Sequence, residues 1–562
     1  MKRRSGGRGG TSAASAKRRR GALAWVAGHT ALIVVVVVMV LGAMVRWRLA
    51  DTPLERDEGE YAYAGQLILQ GVPPYLEAYN MKFPGTYYAY AATMALFGET
   101  PRGIRLGLIL VNAGTALLLF AMGRRLFGGF GGVVTAVSFV LLALDRWNLG
   151  IFAHATHFVL LPALAGLYLL MRAPESRRAL WFLASGLLLG IAVIMKQHAA
   201  FFLPLGTLLL IWEDAERRRG RRAVFLDLTA LIAGAVAPVA LLCAVLWRQG
   251  VLDRFWFWAF QYARAYVSQL PARMFLPDLQ SGLNRVTPAT WWFWLAACVG
   301  LIGLWAGRWR WGQRVFVTGL LVTSFAAICP GFFFRDHYFI LLLPALALLD
   351  AVVFVGAARL LALALPAWIG RLAAITLFAV LCAVVAAGQS EFLFAMSPQT
   401  IVRTCYGFAP FIESVEVGKF VRAHTTKADR IAVVGSEPEI YFYAHRRSAT
   451  GYLYAYPFME PQPYALKMQA EMMAEVRRTH PKYIVFVQET STWNMLPNSD
   501  PRILGWMWRY VSDCYRLAGL VDMPSFTTTR YLWGDEARGY KPSPYVIFVY
   551  ERNSDAPCTA GG

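Results

Sequence analysis

Residues 23–45 read LAWVAGHTALIVVVVVMVLGAMV, a run without Asp, Glu, Lys or Arg, and the chain then turns to Arg46-Trp47-Arg48. A helix of that length exceeds the roughly 30 Å of bilayer hydrocarbon, and the run is longer than the apolar region of a cleaved leader. We therefore expect an uncleaved first span. Residues 1–22 before it hold two basic clusters, Lys2–Arg4 and Lys17–Arg20, among Gly, Ser and Ala. They predict a disordered cytoplasmic tail, which puts the loop after the span outside.

Working outward, the whole chain has this character. Of 562 residues, 57% are hydrophobic and 16% charged. Soluble domains carry about 45–50% apolar and about 25% charged residues, so one large soluble core is excluded. The net charge of +21 lies in arginines set between apolar runs, the pattern of cytoplasmic loops and not of a nucleic-acid surface. Arg172, Arg177 and Arg178 mark one inner loop, and Arg217–Arg219, Arg221 and Arg222 mark another. Between them lie two apolar halves, 179–195 and 199–212, broken by Lys196-Gln197-His198. That tripeptide is then an outer hairpin tip. Further spans are expected near 106–122, 130–144, 155–171, 224–247, 289–306, 315–330, 338–356 and 372–388, about 11 crossings in all. Pro84–Gly98 is short for a crossing, and counting it would reverse every later loop. It reads as an interfacial or re-entrant segment on the outer face.

An odd number of crossings leaves the C-terminal region outside. The expected fold is an α-helical polytopic membrane domain over 23–388, with a first outer loop at 46–83, and a soluble α/β domain over 389–562. Short buried strands are read at Ile431–Val434, Tyr483–Val487 and Tyr545–Tyr550, and an amphipathic helix at Tyr464–Thr479. The loop 248–288 is aromatic, with Phe255–Trp258 and Phe260 suited to the membrane interface. The seven cysteines have no paired CxxC spacing; four fall in apolar segments, leaving Cys405, Cys514 and Cys558 with room for one disulfide.

Candidate chemistry gathers in the loops assigned to the outer face. Asp57 and Glu58, in Arg56-Asp57-Glu58-Gly59-Glu60-Tyr61, offer a general base or a cation ligand, against the alternative of a solvated acidic loop. Lys82 precedes Pro84 at headgroup level, where it pairs with a lipid phosphate or simply snorkels. Arg335 and His337 offer a guanidinium fork and a proton-transfer group; the plain alternative is a cap in which Arg335 pairs with Asp336. Lys196 is a further phosphate contact, and Asp145-Arg146 reads as a helix cap. His154 and His157, spaced i, i+3, read as a packed polar pair. Two histidines are not a complete metal set, so no metal ligand is assigned and the need for a divalent cation is left open.

This order of motifs resembles the membrane-embedded lipid-phosphate-sugar glycosyltransferases of the C-type fold. The motifs are the first span, Asp57-Glu58 with Tyr61–Leu69, Tyr75, and Lys82-Phe83-Pro84. Within that superfamily the likeness is to the bacterial protein-mannosyltransferase, aminoarabinose-transferase and Rgt-type galacturonosyltransferase group. It is strongest over residues 50–200 and continues through Phe334–Leu349. The resemblance implies an inverting transferase with a polyprenyl-phosphate-linked sugar donor and an acceptor hydroxyl on a lipid glycan, cell-wall polymer or protein. It implies multi-pass placement in a bacterial cytoplasmic membrane and no nucleic-acid partner. Asp57 matches the acidic position at the family's catalytic centre, and Glu58 its neighbour. Lys82 matches the lysine that contacts the carrier phosphate, and Arg335–Tyr338 resembles the late outer motif. Two positions depart: Met81 stands where the aminoarabinose branch has an acidic residue linked to metal binding, and Phe83 replaces the first proline of a pair. Two other classes fit a polytopic chain, a lipid-linked glycan flippase and a non-catalytic anchor for the C-terminal domain. The first needs cations spread along a transmembrane path. The second leaves the ionisable outer loops without a purpose.

Overall fold

The computed structural model describes residues 10–173 and 178–553, with side chains described from His29. Arg177, Cys558 and residues 1–9 of the tail expected over 1–22 lie outside these limits; residues 10–22, expected as a disordered tail, continue helix α1. The protein is a multi-pass membrane protein in which eight helices are long and apolar enough to cross a bilayer, Trp291–Ala306 being a shorter apolar one.

The helices run in chain order as α1 (Gly10–Arg48), α2 (Arg56–Leu69), α3 (Gly85–Phe97), α4 (Pro101–Leu142), α5 (Ala155–Arg172), α6 (Arg178–Met195), α7 (Phe202–Glu216) and α8 (Arg221–Arg248). The principal later ones are Trp291–Ala306, Trp311–Ile328, Asp336–Leu361 and Ala367–Gly388. α4 is a hairpin and not one rod. Gly128 has φ 84°, a left-handed value open to glycine, and a methyl added at Gly132 would lie 2.7 Å from the Phe120 carbonyl. In a straight helix those residues stand about 18 Å apart. With α4 divided there, each of the eleven expected spans coincides with a helical segment. α3 is 13 residues, about 20 Å long, too short to cross the hydrocarbon core upright.

The core of the membrane part surrounds Asp336–Leu361, whose 18-residue apolar window is 89% buried, whereas that of α8 is 17% buried. Leu341, Leu343, Ala347 and Leu348 are fully enclosed, so that helix is apolar on every side for contact with other helices and not with lipid. At one end of the bundle, Arg178 joins Asp214 (2.6 Å) and Asp227 (2.9 Å), tying α6, α7 and α8 together.

The C-terminal region forms a six-stranded sheet in the order β2-β1-β3-β6-β4-β5. The strands are β1 (Arg430–Val434), β2 (Arg447–Ser448), β3 (Tyr483–Gln488), β4 (Tyr515–Ser525), β5 (Thr528–Trp533) and β6 (Val546–Arg552). β1 is parallel to β2 and β3, and the remaining pairs are antiparallel. Val433, Val485 and Val487 are buried, as expected of central strands. The β4–β5 hairpin went unread because Gly519 and Pro524 interrupt its pattern; Pro524 sits at a register shift between Asp522 and Ser525. Cys514 is disulfide-bonded and Cys405 is free.

A further expectation is corrected. The segment 248–288 is largely helical and not a loop, while Trp256 and Phe260 stay exposed, as a place at the membrane interface requires. Leu252–Trp256, Phe257–Tyr262 and Ala263–Val267 are successive helical turns whose Phe255 and Trp258 are buried against the first loop and the C-terminal domain. The C-terminal domain packs directly on the first loop. A methyl on Gly59 of α2 would meet the Glu439 backbone at 2.6 Å, and Glu77 pairs with Arg430 (2.8 Å) and Arg447 (2.5 Å). The first loop is thus wedged between bundle and sheet.

Candidate active site

The chemistry begins at the N-terminus of α2. Glu55 caps it, its carboxylate accepting from the Asp57 (3.0 Å) and Glu58 (2.8 Å) backbone N–H groups. The unpaired N–H groups and dipole of a helix start favour carboxylates in the first turn. The helix then sorts its acids by angle. Asp57 and Glu60, three apart, share a face, while Glu58 lies about 100° around.

On the first face the Lys82 ammonium lies 2.8 Å from Asp57 Oδ1 and 2.6 Å from Glu60 Oε2. It stands over the Tyr61 ring at 4.6 Å. Its loop is pinned from both sides, the Tyr75 hydroxyl donating to the Lys82 carbonyl (2.6 Å) and Gln197 Nε2 to the Met81 carbonyl (2.6 Å). Glu60 also accepts from the hydroxyls of Tyr87 and Tyr454. Burial, the largest single influence, favours a neutral Asp57, but the Lys82 ammonium with His337 and His154 together outweigh it and hold the carboxyl well below the usual range.

The remaining cations approach from other elements. Arg335 is aimed by Tyr266, whose hydroxyl accepts from Nη2 at 3.1 Å, and Lys196 sits over the Tyr338 ring at 4.0 Å. Among the described residues neither has a carboxylate within ion-pair distance. Burial, reinforced by Lys82 and Arg335, brings the Lys196 ammonium down to about 7 despite the attraction of Asp57. His337 Nε2 is 3.8 Å from Asp57 Oδ2.

Asp57, Lys82, Lys196, Arg335 and His337 line one cavity of about 400 Å³, so five of the six expected site residues are brought together. Glu58 is not with them. It is fully buried on the other side of α2, held by Arg105 Nε (2.9 Å) and Nη2 (2.6 Å) and by the Ala153 N–H (2.6 Å). Substrate has no access to it there; it fixes the helix that carries Asp57. The alternative pairing of Arg335 with its neighbour is not formed either, because Asp336 turns to Arg285 at 2.6 Å.

Sequence reading missed three participants. Glu60 was legible as the i+3 partner of Asp57. Tyr454 and Tyr456 come from the C-terminal domain and line the same cavity, nearly 400 residues from Asp57, with no local signal to announce them. His154 does not share a helix face with His157, because it precedes α5 with extended backbone (ψ 149°); its ring stacks on His337 at 4.1 Å and 12°.

Asp57, His154 and His337 are the group among the described residues with three metal-ligating atoms mutually within 4.8 Å. Their arrangement does not suit one ion. The in-plane lone pairs of two stacked rings run side by side instead of converging, and Asp57 Oδ1 already faces an ammonium.

Comparison with known proteins agrees with this architecture. Residues 81–242 match the family described as dolichyl-phosphate-mannose-protein mannosyltransferase. The undecaprenyl phosphate-alpha-4-amino-4-deoxy-L-arabinose arabinosyl transferase of Pseudomonas aeruginosa strain UCBPP-PA14 is 26% identical over 275 residues, 46% of this chain and 47% of that protein. The same enzyme of Pseudomonas paraeruginosa is 26% identical over the same shares. The match therefore spans about half the length of these curated relatives. Among solved structures, ArnT from Cupriavidus metallidurans bound to undecaprenyl phosphate superposes with a TM-score of 0.57 at 15% identity, covering 94% of this chain and 99% of that one. The oligosaccharyltransferase AglB from Archaeoglobus fulgidus, in complex with an inhibitory peptide and a dolichol-phosphate, gives 0.50 at 11% identity, with 91% and 75% covered. The chain thus has the fold of ArnT from Cupriavidus metallidurans and, over residues 81–242, is similar to the protein-mannosyltransferase family.

Proposed function

We propose that this protein is an inverting glycosyltransferase that moves a sugar from a polyprenyl-phosphate donor to an acceptor hydroxyl at the outer face of the bacterial cytoplasmic membrane. The observation that carries the reading is a single cavity in which a carboxylate, Asp57, faces Lys82, Lys196 and Arg335, two of these cations lacking a carboxylate partner among the described residues. Such a site is poised for a phosphate. The names of the similar proteins support this, since several are described with undecaprenyl or dolichol phosphate.

In the reaction the acceptor oxygen attacks the anomeric carbon and its proton passes to Asp57. The bond from that carbon to the phosphate oxygen breaks, and the electron pair leaves with polyprenyl phosphate. Lys82, Lys196 and Arg335 are already oriented where charge develops on the leaving group. The bound phosphate competes with Asp57 for the Lys82 ammonium. As it draws the ammonium away, Asp57 becomes a better base. Glu58 and His337 serve in support, Glu58 by holding α2 and His337 by facing Asp57.

The disulfide at Cys514 fits an extracytoplasmic C-terminal domain, since such bonds persist in oxidising compartments. A flippase is disfavoured by the grouping of these cations at one cavity; the Arg178–Asp214–Asp227 cluster elsewhere is balanced by Arg219, which lies near both aspartates. The test is mass analysis of envelope glycans and proteins from cells with and without the protein, together with release of polyprenyl phosphate from native lipid-linked donors by the purified protein. A sugar lost from the envelope and carrier released in step with transfer are expected. Transport of intact donor without carrier release refutes the reading.

Lys196 supplies a pH test. Bound phosphate favours its protonated form, so below about pH 7 the ammonium is already present and binding is tightest. Above that value binding must take up a proton, and the Kd for undecaprenyl phosphate is expected to rise by up to about tenfold per pH unit. Phosphate ionisation, with a second pKa of about 6, is essentially complete by then and does not produce this loss. A titration of Lys196→Met between pH 7 and 9 should be flat; an unchanged slope removes Lys196 from the phosphate site.

A further inference from the structure

Eight tyrosines line the cavity that holds Asp57, and five of them have their hydroxyls committed. Tyr79, Tyr262, Tyr452 and Tyr454 donate to Glu475, Glu460, Glu471 and Glu60 in turn, and Tyr266 accepts from Arg335. The hydroxyls of Tyr61, Tyr338 and Tyr456 have no hydrogen-bond partner among the described residues, and none of the three oxygens is enclosed. Two of these rings lie under lysines, Tyr61 below Lys82 at 4.6 Å and Tyr338 below Lys196 at 4.0 Å. Tyr456 has another setting. It belongs to the C-terminal domain, in a turn fixed on both sides: the Ala455 N–H donates to Ser436 Oγ (2.8 Å), and Gln462 Nε2 to the Pro457 carbonyl (2.7 Å). Its ring stacks on Tyr454 at 4.9 Å, and the Tyr454 hydroxyl reaches Asp57 Oδ1 at 3.4 Å. Arg56 stands 6.0 Å from the Tyr456 ring but is held by Glu437. Burial pushes the Tyr456 phenol up, so it stays a neutral donor and acceptor. Asp57, Lys82 and Arg335 all act on it, which puts it within electrostatic reach of the base and of the guanidinium together.

We infer that Tyr456 holds the sugar of the donor, its phenol bonded to a sugar hydroxyl, an inference that rests on the transferase reading above. Two observations carry it. During transfer the sugar must lie between the acceptor oxygen at Asp57 and the phosphate at Lys196 and Arg335, and Tyr456 brings a partnerless hydroxyl into the same cavity within reach of both ends. The chemistry also matches. A phosphate oxygen only accepts, and it is better served by the charged donors already present. A sugar hydroxyl both donates and accepts, as a phenol does. A site that bonds a substrate hydroxyl discriminates against an analogue lacking it, so Tyr456 is a specificity residue supplied by the C-terminal domain.

The test is Tyr456→Phe in the full chain, which keeps the ring on Tyr454 and removes the hydroxyl alone. The kcat/KM for transfer from native lipid-linked donors is expected to fall about tenfold. Undecaprenyl phosphate, which carries no sugar, should bind within twofold of wild type, and thermal unfolding should be unchanged. Lys196→Met is the counterpart and should show the opposite split, weaker binding of undecaprenyl phosphate below about pH 7, where the ammonium is present. Undiminished transfer by Tyr456→Phe overturns the inference. A loss of undecaprenyl phosphate binding in step with transfer also overturns it, because the hydroxyl then serves the phosphate. So does a lowered unfolding temperature that accounts for the lost turnover, which makes the hydroxyl structural. If the wild-type chain neither releases carrier from the donors nor binds undecaprenyl phosphate, the transferase reading has failed first and the inference falls with it.

Discussion

Asp57→Asn is expected to lower transfer from a polyprenyl-phosphate donor by about 10²- to 10⁴-fold, the usual contribution of a positioned general base. That is roughly 3–5 kcal/mol of barrier. Asparagine keeps the size of the side chain and the helix N-terminus intact but has no site for the acceptor proton. Binding of undecaprenyl phosphate should be unchanged or tighter, because Lys82 then has one anionic competitor, Glu60, in place of two. This divergence separates a base from a merely structural acid. A structural acid lost from the Lys82 cluster would weaken turnover and carrier binding together. The measurement is single-turnover transfer beside equilibrium carrier binding on the same purified protein. Full turnover in a folded Asp57→Asn protein removes this residue from the chemistry. Glu60→Gln is the matched comparison. It disturbs the same ammonium, yet Glu60 is enclosed by Tyr87 and Tyr454 and does not line the cavity, so its loss should act chiefly through the placement of Lys82.

How much the sequence reveals depends on the range of the forces involved. Helical segments were legible because lipid enforces long apolar runs and arginines mark the loops between them. The hairpin at Gly128 obeys the same logic, two apolar halves hinged at Gly128-Gly129 beside Arg124-Arg125. The gathering of Asp57, Lys82, Lys196, Arg335 and His337 was legible only as a shared face. Their common cavity needs the tertiary structure. Adjacency in the chain misled twice for one reason: neighbours on a backbone seldom face the same way. Glu58 turns from Asp57 by the pitch of α2, and His154 leaves His157 because it stands outside the helix; the same divergence sends Arg335 to Tyr266 and Asp336 to Arg285, which keeps Arg335 in the site. The contribution of Tyr454 and Tyr456 had no signal at all, since a contact between α2 and the segment after β2 is set by packing. The C-terminal domain therefore builds one wall of the cavity, and its removal should leave Glu60 without Tyr454 and Tyr79 without Tyr452.

The second large effect is expected far from any substrate. Arg105→Met leaves the Glu58 carboxylate at 0% exposure without its guanidinium, and breaking a buried ion pair from one side costs about 3–5 kcal/mol. Burial between α2 and α4 leaves no water to replace the lost partner, so helix α2 must either lift from α4 or carry an uncompensated charge. Either outcome displaces the first turn that holds Asp57, and activity should fall with stability. The double variant Glu58→Leu, Arg105→Met separates the two causes. It removes both charges and fills the space with apolar groups, a change that is often neutral for a buried pair. Most of the lost thermal stability should then return. Activity should return only in part, because leucine cannot accept from the Ala153 N–H or complete the capping box at Glu55, and α2 keeps less of its alignment. Thermal unfolding in detergent, read beside turnover, decides the matter. An Arg105→Met protein as stable as wild type would mean the carboxyl at Glu58 is satisfied without the arginine, and the ion pair would lose its place as the brace of the catalytic helix.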